Sequence, residues 1–410
     1  MQNYKSRIVK NVSMLFLLDI ATKIFPLITL PYLTRVLSIE TYGVVAYVKA
    51  CMEYMQLIVD FGFMLSGTKD IALVHGNQDE VNREIGNIFV ARLILCCVAF
   101  GVLILLILFI PILQQNVLYT ILSFLTVFLT IFLMDFYFRG IEKMEIITIR
   151  FVVMRGISTF LTFFAVKSDD DILWIPVLSI IGSLAAIMLV WFQLKKLNAK
   201  IRPEGLKPAL RKLKDSAMYF ASNMATTAFG ALNTLLVGIF LDPVSIAFWT
   251  ICIQITSAIQ SFYTPLISGI YPQMMLTKKR SIIQKVVKIF LPLIALGCVF
   301  TFFVAEDALL IIGGQKYTDA AYLLRLLTPV MFLGFLSMIY GWPTLGAINK
   351  QKQVTATTII SAVFQVLSLL ALIGLNCFNL IAIAIVRCIT ELILFASRFW
   401  VYWKNRREFV

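Results

Sequence analysis

The sequence predicts an all-α polytopic membrane protein with about twelve transmembrane helices, and three observations support this fold class. Of the 410 residues, 60% are hydrophobic and only 14% are charged, whereas soluble proteins have about 45–50% apolar and about 25% charged residues. The apolar stretches are long enough for helices of about 20 residues each. They also lack the alternation that is typical of outer-membrane strands of about ten residues. The chain is therefore expected to cross a membrane many times as helices.

The apolar stretches divide into two sets of six. The first six predicted spans lie near residues 11–33, 43–63, 86–110, 117–138, 148–166 and 172–194. The second six lie near residues 215–240, 244–270, 284–305, 319–342, 353–374 and 380–403. We therefore expect an N-terminal six-helix bundle over 1–194, a basic cytoplasmic linker over 195–214, and a C-terminal six-helix bundle with a short cytoplasmic tail over 215–410.

The distribution of basic residues predicts the orientation. The formal net charge is +14, from 36 Lys and Arg against 22 Asp and Glu. If the amino terminus is cytoplasmic, the linker and the basic clusters near 278–288 and 404–407 all fall inside, while the opposite loops hold only Arg35, Lys167 and Lys316. Because cytoplasmic loops carry an excess of Lys and Arg, both termini are predicted inside. The basic linker is interpreted mainly as a determinant of this orientation, with contact to anionic lipid as a smaller second role.

An internal repeat relates the two halves. At an offset of 204, MLFLLDIATKIF (Met14–Phe25) aligns with MYFASNMATTAF (Met218–Phe229), which places Asp19 on Asn223. Because six spans separate the copies, the repeat is parallel, with its pseudo-axis along the membrane normal. Two six-helix bundles that face each other across a central cavity are the expected architecture.

Charged residues inside the first hairpin and the last span are the candidate functional groups. Asp19 with Lys23, Lys49 with Glu53, and Arg387 with Glu391 are each spaced i, i+4, so the members of each pair share a helix face. The first two of these pairs have uncharged repeat equivalents in the second half. Asp19, Lys23, Lys49 and Glu53 correspond to Asn223, Thr227, Ile253 and Ser257. Two interpretations stay open, structural ion pairs inside the bundle or residues that line a transport cavity, since ionisable groups in membranes are functional by default.

The candidate site residues fall into three chemical sets. The cations that could bind an anionic substrate are Lys23, Lys49, Arg92, Arg325 and Arg387. The acids that could hold these cations or bind a coupling ion are Asp19, Glu53, Asp60 and Glu391, and the polar cavity residues are Asn223 and Thr227. Arg325 could instead extend to the outer membrane interface. No metal site is expected, because His75 is the single histidine and the seven cysteines show no metal-ligand spacing.

Five motifs are spread along the chain: PLITLPYLTRVL (Pro26–Leu37), ETYG (Glu40–Gly43), VDFGFMLSGTKDIA (Val59–Ala72), GGQKYTDAAYLLRLLTP (Gly313–Pro329) and LGAINKQK (Leu345–Lys352). They resemble motifs of the Wzx-type O-antigen and polysaccharide repeat-unit flippases. The resemblance covers nearly the whole chain. It implies the multidrug/oligosaccharidyl-lipid/polysaccharide exporter fold, with two six-helix lobes in a V shape that work by alternating access.

The resemblance also implies a function and its partners. The expected substrate is an undecaprenyl-diphosphate-linked oligosaccharide unit, moved from the inner to the outer leaflet of the bacterial cytoplasmic membrane for O-antigen, lipopolysaccharide or capsular polysaccharide assembly. Lys23, Lys49 and Arg387 would replace water around the diphosphate. No cofactor is expected beyond a coupling ion, H⁺ or Na⁺. Membrane lipids, a polysaccharide polymerase and a chain-length regulator are the expected partners, and nucleic acid is not.

Two alternatives of other classes remain at this point. An ion-coupled small-molecule or drug antiporter of the same fold is the nearer one, because a fold does not fix a function. A membrane glycan polymerase or ligase is the second, but the predicted outer loops are too short to carry an exposed catalytic site. The residues also offer no nucleophile–histidine or metal constellation that would support an enzyme.

Overall fold

The computed structural model describes residues 2–227 and 230–409, and the regular elements in this part of the chain are helices. The first nine α-helices are α1 Gln2–Val36, α2 Ile39–Asp60, α3 Phe63–Val74, α4 Gln78–Phe109, α5 Pro111–Gln115, α6 Val117–Leu129, α7 Asp135–Gly140, α8 Met144–Ala165 and α9 Trp174–Lys196. Short 3₁₀ turns cover Thr130–Leu133 and Asp169–Asp171. The all-helical prediction is confirmed for the described residues.

Eight further α-helices follow. They are α10 Leu206–Thr227, α11 Ala231–Phe240, α12 Pro243–Thr277, α13 Arg280–Phe303, α14 Ala305–Gly313, α15 Ala321–Ile339, α16 Gln351–Gly374 and α17 Leu380–Lys404. The 3₁₀ turns here are Gln315–Ala320, Gly346–Ile348 and Arg406–Glu408.

Ten helical segments within the described residues are long and apolar enough to cross a membrane. They are Ser13–Val36, Gln78–Phe109, Val117–Gly140, Met144–Ala165, Asp169–Lys196, Pro243–Thr277, Arg280–Phe303, Gln315–Ile339, Gln351–Gly374 and Leu380–Lys404. The chain is therefore a multi-pass membrane protein. Twelve spans in two bundles stay a prediction, because two of the predicted spans are not among these ten.

The two remaining segments fall short for different reasons. Helix α2 has 22 residues, about 33 Å at 1.5 Å per residue, so its length is sufficient. However, Glu40, Lys49, Glu53 and Asp60 lower its apolar character. The segment predicted near 215–240 covers the end of the basic helix α10 and the ten-residue apolar helix α11, and residues 228–229 between them lie outside the described part of the chain. Gly230, which precedes α11, has φ −100° and ψ −77°.

Helix ends reproduce the internal repeat. Helix α1 ends at Val36 and α11 ends at Phe240, while α2 begins at Ile39 and α12 at Pro243. Positions 36 and 240, like 39 and 243, differ by the offset of 204 found in the sequence. Phe229, the last residue of the aligned stretch, lies outside the described residues. The offset therefore holds for backbone geometry as well as for residue identity.

The helix caps at these starts are equivalent as well. The Ser38 hydroxyl accepts a hydrogen bond from the Thr41 backbone N–H at 3.1 Å, which caps α2. The Asp242 carboxylate accepts from the Ser245 N–H at 2.7 Å and caps α12. A polar side chain at this position satisfies an N–H group that has no partner inside its helix. Both halves thus begin their second helix with the same local chemistry.

Side-chain contacts within each half follow the same offset. Gln56 on α2 donates from Nε2 to the Thr130 hydroxyl at 3.1 Å. At the equivalent position, Gln260 lies so close to Gly334 that a Cβ atom there would be 2.6 Å from its Nε2. Thr130 and Gly334 also differ by 204 positions. The repeated glutamine therefore contacts equivalent positions in the two halves.

Backbone contacts divide the chain into two compact units, Met1–Thr227 and Ala228–Val410. In the first unit α8 packs on α1 and α9, α2 packs on α4 and α6, and α10 packs on α4, α3 and α2. In the second unit α15 packs on α12, α13 and α17, and α16 packs on α17. The first unit thus ends within the segment predicted as the seventh span. The boundary between linker and second bundle at 214/215 stays a prediction from composition.

A tight turn separates α2 from α3 within the VDFGFML motif. Phe61 and Gly62 adopt the left-handed region, with φ of 39° and 79°. Gly62 also has no room for a side chain, because a Cβ atom would lie 2.5 Å from the Cβ of Tyr219 on α10. Glycine adopts positive φ without steric cost. The motif therefore ends α2 directly after Asp60 and allows α10 to approach.

Candidate functional site

The first predicted charged pair forms on α1. The Lys23 Nζ lies 2.9 Å from the Asp19 Oδ2, one helical turn away, and the side chains are 31% and 50% exposed. Lys23 and Glu53 of α2 do not form an ion pair in the structure, since the partner of Lys23 is Asp19. Lys23 is therefore a cation that its own helix neutralises and that is still accessible.

A second accessible charged set lies on α2 and α8. Lys49 and Glu53 are both exposed, and Glu53 lies close enough to interact electrostatically with Lys49. Lys49 also has Arg155 of α8 as an electrostatic neighbour, and Arg155 is exposed as well. These three side chains carry one negative and two positive charges. We name Lys49, Glu53 and Arg155 the α2–α8 charge set.

Two buried arginines of the first unit pair with acids. Arg150, five residues before Arg155 on α8, is buried and donates from Nε to Asp135 at 2.7 Å, with a second contact between the same two residues. Arg92 of α4 is 6% exposed and donates to the Asp60 carboxylate at 2.7 Å. Each buried cation thus has an acid at hydrogen-bond distance, which offsets the cost of removing its charge from water. These pairs match the structural interpretation of intramembrane charges.

Arg155 differs from the paired arginines, because its electrostatic neighbours are the cations Arg150 and Lys49. Its side chain contacts the Phe151 ring, with the guanidinium carbon 6.0 Å from the ring centroid. Like charges at close range repel each other, and an anion bound between them relieves that repulsion. Lys49 and Arg155 are therefore our candidates for binding an anion in the first unit.

In the second unit the predicted pair Arg387–Glu391 forms inside a buried polar network. Their charged atoms are 2.9 Å apart, and the side chains are only 14% and 6% exposed. The Ser337 hydroxyl donates to Glu391 at 2.6 Å, and Arg398 donates to the Ser337 carbonyl at 2.6 Å and to the Thr358 hydroxyl at 3.0 Å. The network joins α15, α16 and α17. This burial favours the structural interpretation for Arg387 and Glu391.

The other predicted site residues lie apart from these sets. Arg325 is half-buried, donates to the Phe302 carbonyl at 3.2 Å and lies 3.8 Å from Glu306. Glu306 belongs to the predicted outer loop, so this position agrees with an interfacial Arg325. Asn223 and Thr227 are half-buried on α10, where the Thr227 hydroxyl donates to the Asn223 carbonyl at 3.0 Å.

Sequence reasoning did not assign a role to Arg155, Asp135 or Arg398. Arg150 and Arg155 were visible as charges at the start of the fifth predicted span, and such charges are themselves the signal of a functional or paired group. The signal that separates the two arginines is the identity of their neighbours on other helices. That information appears only when the helices are packed together.

The chain matches the model of a protein family described as "Polysaccharide biosynthesis protein" over residues 8–278. Two curated proteins are similar, and both are described as "Putative O-antigen transporter". The one from Shigella dysenteriae is 29% identical over 269 residues, which is 65% of this chain and 67% of that protein. The one from Escherichia coli strain K12 is 24% identical over 409 residues, which is 95% of each chain.

Solved structures share the fold at low sequence identity. One is the inward closed conformation of the lipid II flippase MurJ, with a TM-score of 0.68, 14% identity, and coverage of 96% of this chain and 87% of that chain. Another is the inward-facing conformation of a MATE family multidrug resistance transporter of the MOP superfamily, with a TM-score of 0.66, 13% identity and 95% coverage of both chains. The fold is therefore that of known membrane transporters.

Proposed function

The chain belongs to the polysaccharide biosynthesis protein family, and from that membership we propose that it is a flippase for lipid-linked oligosaccharides. The proposed substrate is an undecaprenyl-diphosphate-linked oligosaccharide unit, moved from the inner to the outer leaflet of the bacterial cytoplasmic membrane. The names of the two curated relatives support a role in O-antigen assembly. The chain is thus a transporter in this proposal and not an enzyme. Because one fold serves several functions, the proposal depends on the family and not on the structural likeness.

The observation that carries the substrate class is the pairing of two accessible cations. Lys49 and Arg155 are exposed electrostatic neighbours on two membrane helices. A diphosphate cannot cross about 30 Å of hydrocarbon without a substitute for its water, and two adjacent cations provide one. An arginine can contact two phosphate oxygens at once, and a lysine adds a point charge. The α2–α8 charge set therefore suits the anionic head of the substrate, while its lipid tail stays in the bilayer.

The neighbouring groups have distinct proposed roles. Glu53 holds Lys49 in place when no substrate is bound. Lys23 provides a third accessible cation, which Asp19 keeps neutralised until the diphosphate competes for it. Glu53 is also the proposed acceptor for a coupling ion, H⁺ or Na⁺, because Asp60 and Glu391 are held by arginines. Arg387 acts in this proposal as a structural partner of Glu391.

Transport is proposed to occur by alternating access, in which the binding site opens to one side of the membrane at a time. The ten apolar segments, together with α2 and the segment near 215–240, would provide twelve spans with both termini in the cytoplasm. A polysaccharide polymerase and a chain-length regulator are the proposed functional partners, because they would consume and control the units delivered to the outer leaflet.

Deletion of the gene in its own bacterium tests the function. We expect lipid-linked oligosaccharide units to accumulate on the cytoplasmic leaflet, where external glycosidase cannot reach them, and the surface glycan to disappear. Expression of the intact protein should restore both. If no lipid-linked unit accumulates and the glycan is still displayed, the assignment as a flippase is wrong.

A further inference from the structure

Helix α10 packs on α3 and α4 within the first unit, through polar side chains as well as through Ala209 and Leu213. The Lys212 Nζ lies 2.8 Å from an Asp70 oxygen and 2.6 Å from a Glu84 oxygen, and Ser216 is hydrogen-bonded to Ser66 at 2.7 Å. Burial opposes the charge of Lys212, but the hydrogen bonds to Asp70 and Glu84 outweigh it and raise the pKa of this lysine. One side of the helix is therefore fixed to α3 and α4 by polar contacts.

The segment before α10 is fixed to the same surface. The Glu204 carboxylate accepts a hydrogen bond from Asn87 at 3.0 Å and lies 3.5 Å from Arg83. The Arg202 backbone N–H donates to the Asn82 carbonyl at 3.1 Å. Glu204, the acidic residue nearest the start of α10, thus pairs with residues of α4. This segment is anchored, although its composition is that of a linker.

The opposite side of α10 combines large apolar residues with cations. Leu206 and Leu210 are 62% and 47% exposed, and three basic residues on the same side are exposed as well: Lys207, Arg211 and Lys214. Spacings of one, four, five and eight residues place all five on one helix face. We name these five residues the α10 outer face. No ion pair of its three cations is present among the side chains that the structure describes.

This arrangement differs from that on a helix exposed to water. Such a helix buries its apolar side and exposes its polar side, whereas α10 exposes two leucines and contacts α3 and α4 through Lys212 and Ser216 as well as packing Ala209 into the core. Exposed leucines beside lysines and arginines are typical of helices that lie in a membrane interface, where the apolar groups enter the lipid and the cations stay at the headgroups. Exposed Asp215, which directly follows Lys214, is the only acidic residue in the sequence of α10.

We propose that the α10 outer face is a docking surface for the anionic phospholipid headgroups of the cytoplasmic leaflet. The two leucines enter the acyl boundary, and the three cations bind headgroup phosphates. Lipid binding holds α10 against the membrane on one side, while Lys212 holds it to α3 and α4 on the other. This surface is independent of the transported substrate and of the α2–α8 charge set.

The spacing of the cations favours a lipid surface over a single diphosphate. Lys207 and Lys214 are seven residues apart, about 10 Å along the helix axis. Two phosphates joined by one bridging oxygen cannot contact cations along that whole length, whereas several neighbouring headgroups can. The predicted cytoplasmic position of this segment also places it beside the leaflet that carries anionic lipid.

The test uses the purified full-length protein in neutral detergent and follows its thermal unfolding midpoint during titration with phosphatidylglycerol or phosphatidylcholine. A ligand that binds the folded state raises the midpoint in a concentration-dependent way. We expect phosphatidylglycerol to raise it far more effectively than phosphatidylcholine. The variant K207A/R211A/K214A should need roughly 100-fold more phosphatidylglycerol for the same rise in midpoint, because each cation removed lowers the affinity for the lipid about fivefold. The matched control K279A/K285A/K288A, which also removes three exposed cations, should respond like the wild type.

Further variants and a second ligand test whether the lipid surface is what α10 binds. L206S/L210S keeps the charges and should also need more phosphatidylglycerol, because it removes the apolar contact. Equal weakening in the K279A/K285A/K288A control would show a general charge effect and overturn the proposal. It would also be overturned if inorganic pyrophosphate at matched ionic strength raised the midpoint as much as phosphatidylglycerol. Unfolding of each variant without added lipid identifies any that fold poorly, and Arg211→Gln alone then provides the milder test.

Discussion

The Lys23 Nζ lies 2.9 Å from the Asp19 Oδ2, and both side chains are accessible on α1. An exposed i, i+4 pair of this kind stabilises a helix by only about 0.3–0.5 kcal/mol. The pair is therefore not needed to hold the fold together. Its position inside a membrane helix needs another explanation, and contact with an anionic substrate provides one.

Replacing Lys23 with alanine should lower transport about tenfold and change thermal stability little. The remaining Asp19 carboxylate would repel the diphosphate, so the double variant D19N/K23A should transport better than K23A alone. Surface glycan display in the deletion strain, with protein levels checked, measures both. Full activity of K23A at normal expression would remove Lys23 from the mechanism.

Lys49→Ala and Arg155→Ala should each raise the substrate concentration for half-maximal transport about tenfold, because each removes a charge-assisted contact worth about 1.5 kcal/mol or more. Lys49→Arg should retain most affinity, since the positive charge is kept. Reconstituted vesicles with graded substrate measure the effect. If both alanine variants lowered only the maximal rate and left half-saturation unchanged, these cations would not bind the diphosphate.

The buried pair in the second unit should behave differently from the exposed groups. Arg387→Ala would leave the Glu391 charge buried, with Ser337 as a hydrogen-bond donor, and should destabilise the protein by about 3–5 kcal/mol. Removing both charges in R387A/E391A should cost less than the sum of the single changes. Thermal unfolding of the four proteins completes the cycle. Additive losses would show that the two residues are not energetically coupled.

A glycine at the contact between α8 and α9 provides a test of the fold. A Cβ atom at Gly182 would lie 2.3 Å from the Met154 carbonyl oxygen, whereas one at Gly101 would have no neighbour within 4 Å. Gly182→Ala should therefore destabilise the protein by about 1–3 kcal/mol through overpacking, and Gly101→Ala should not. The difference between their unfolding midpoints is the measured quantity. Equal midpoints would mean that α8 and α9 do not pack this closely.

The sequence was sufficient for the features that local pattern determines. Apolar length predicted the helices, and the offset of 204 predicted equivalent ends at Val36 and Phe240. The i, i+4 spacing also predicted the pairs Asp19–Lys23 and Arg387–Glu391, both of which form. These features depend on residues close together in the chain, so the sequence contains them.

Features that depend on packing between distant segments were not predictable. The contacts of α10 with α3 and α4, such as Lys212 with Asp70, join residues 142 positions apart. Arg150 and Arg155 are five residues apart and chemically alike, yet Asp135 pairs with the first while the second has Lys49 as its neighbour. Charge pattern alone does not distinguish them.

Transbilayer movement of the substrate in reconstituted vesicles is the most direct measurement of the proposed function. Purified protein would be placed in vesicles whose inner leaflet carries a fluorescent undecaprenyl-diphosphate-linked oligosaccharide, with a membrane-impermeant quencher outside. The flippase assignment predicts that quenching exceeds the level of protein-free vesicles and falls in the K49A/R155A variant at equal incorporation. No movement above the protein-free level, with correctly folded protein and any required ion gradient supplied, would contradict it.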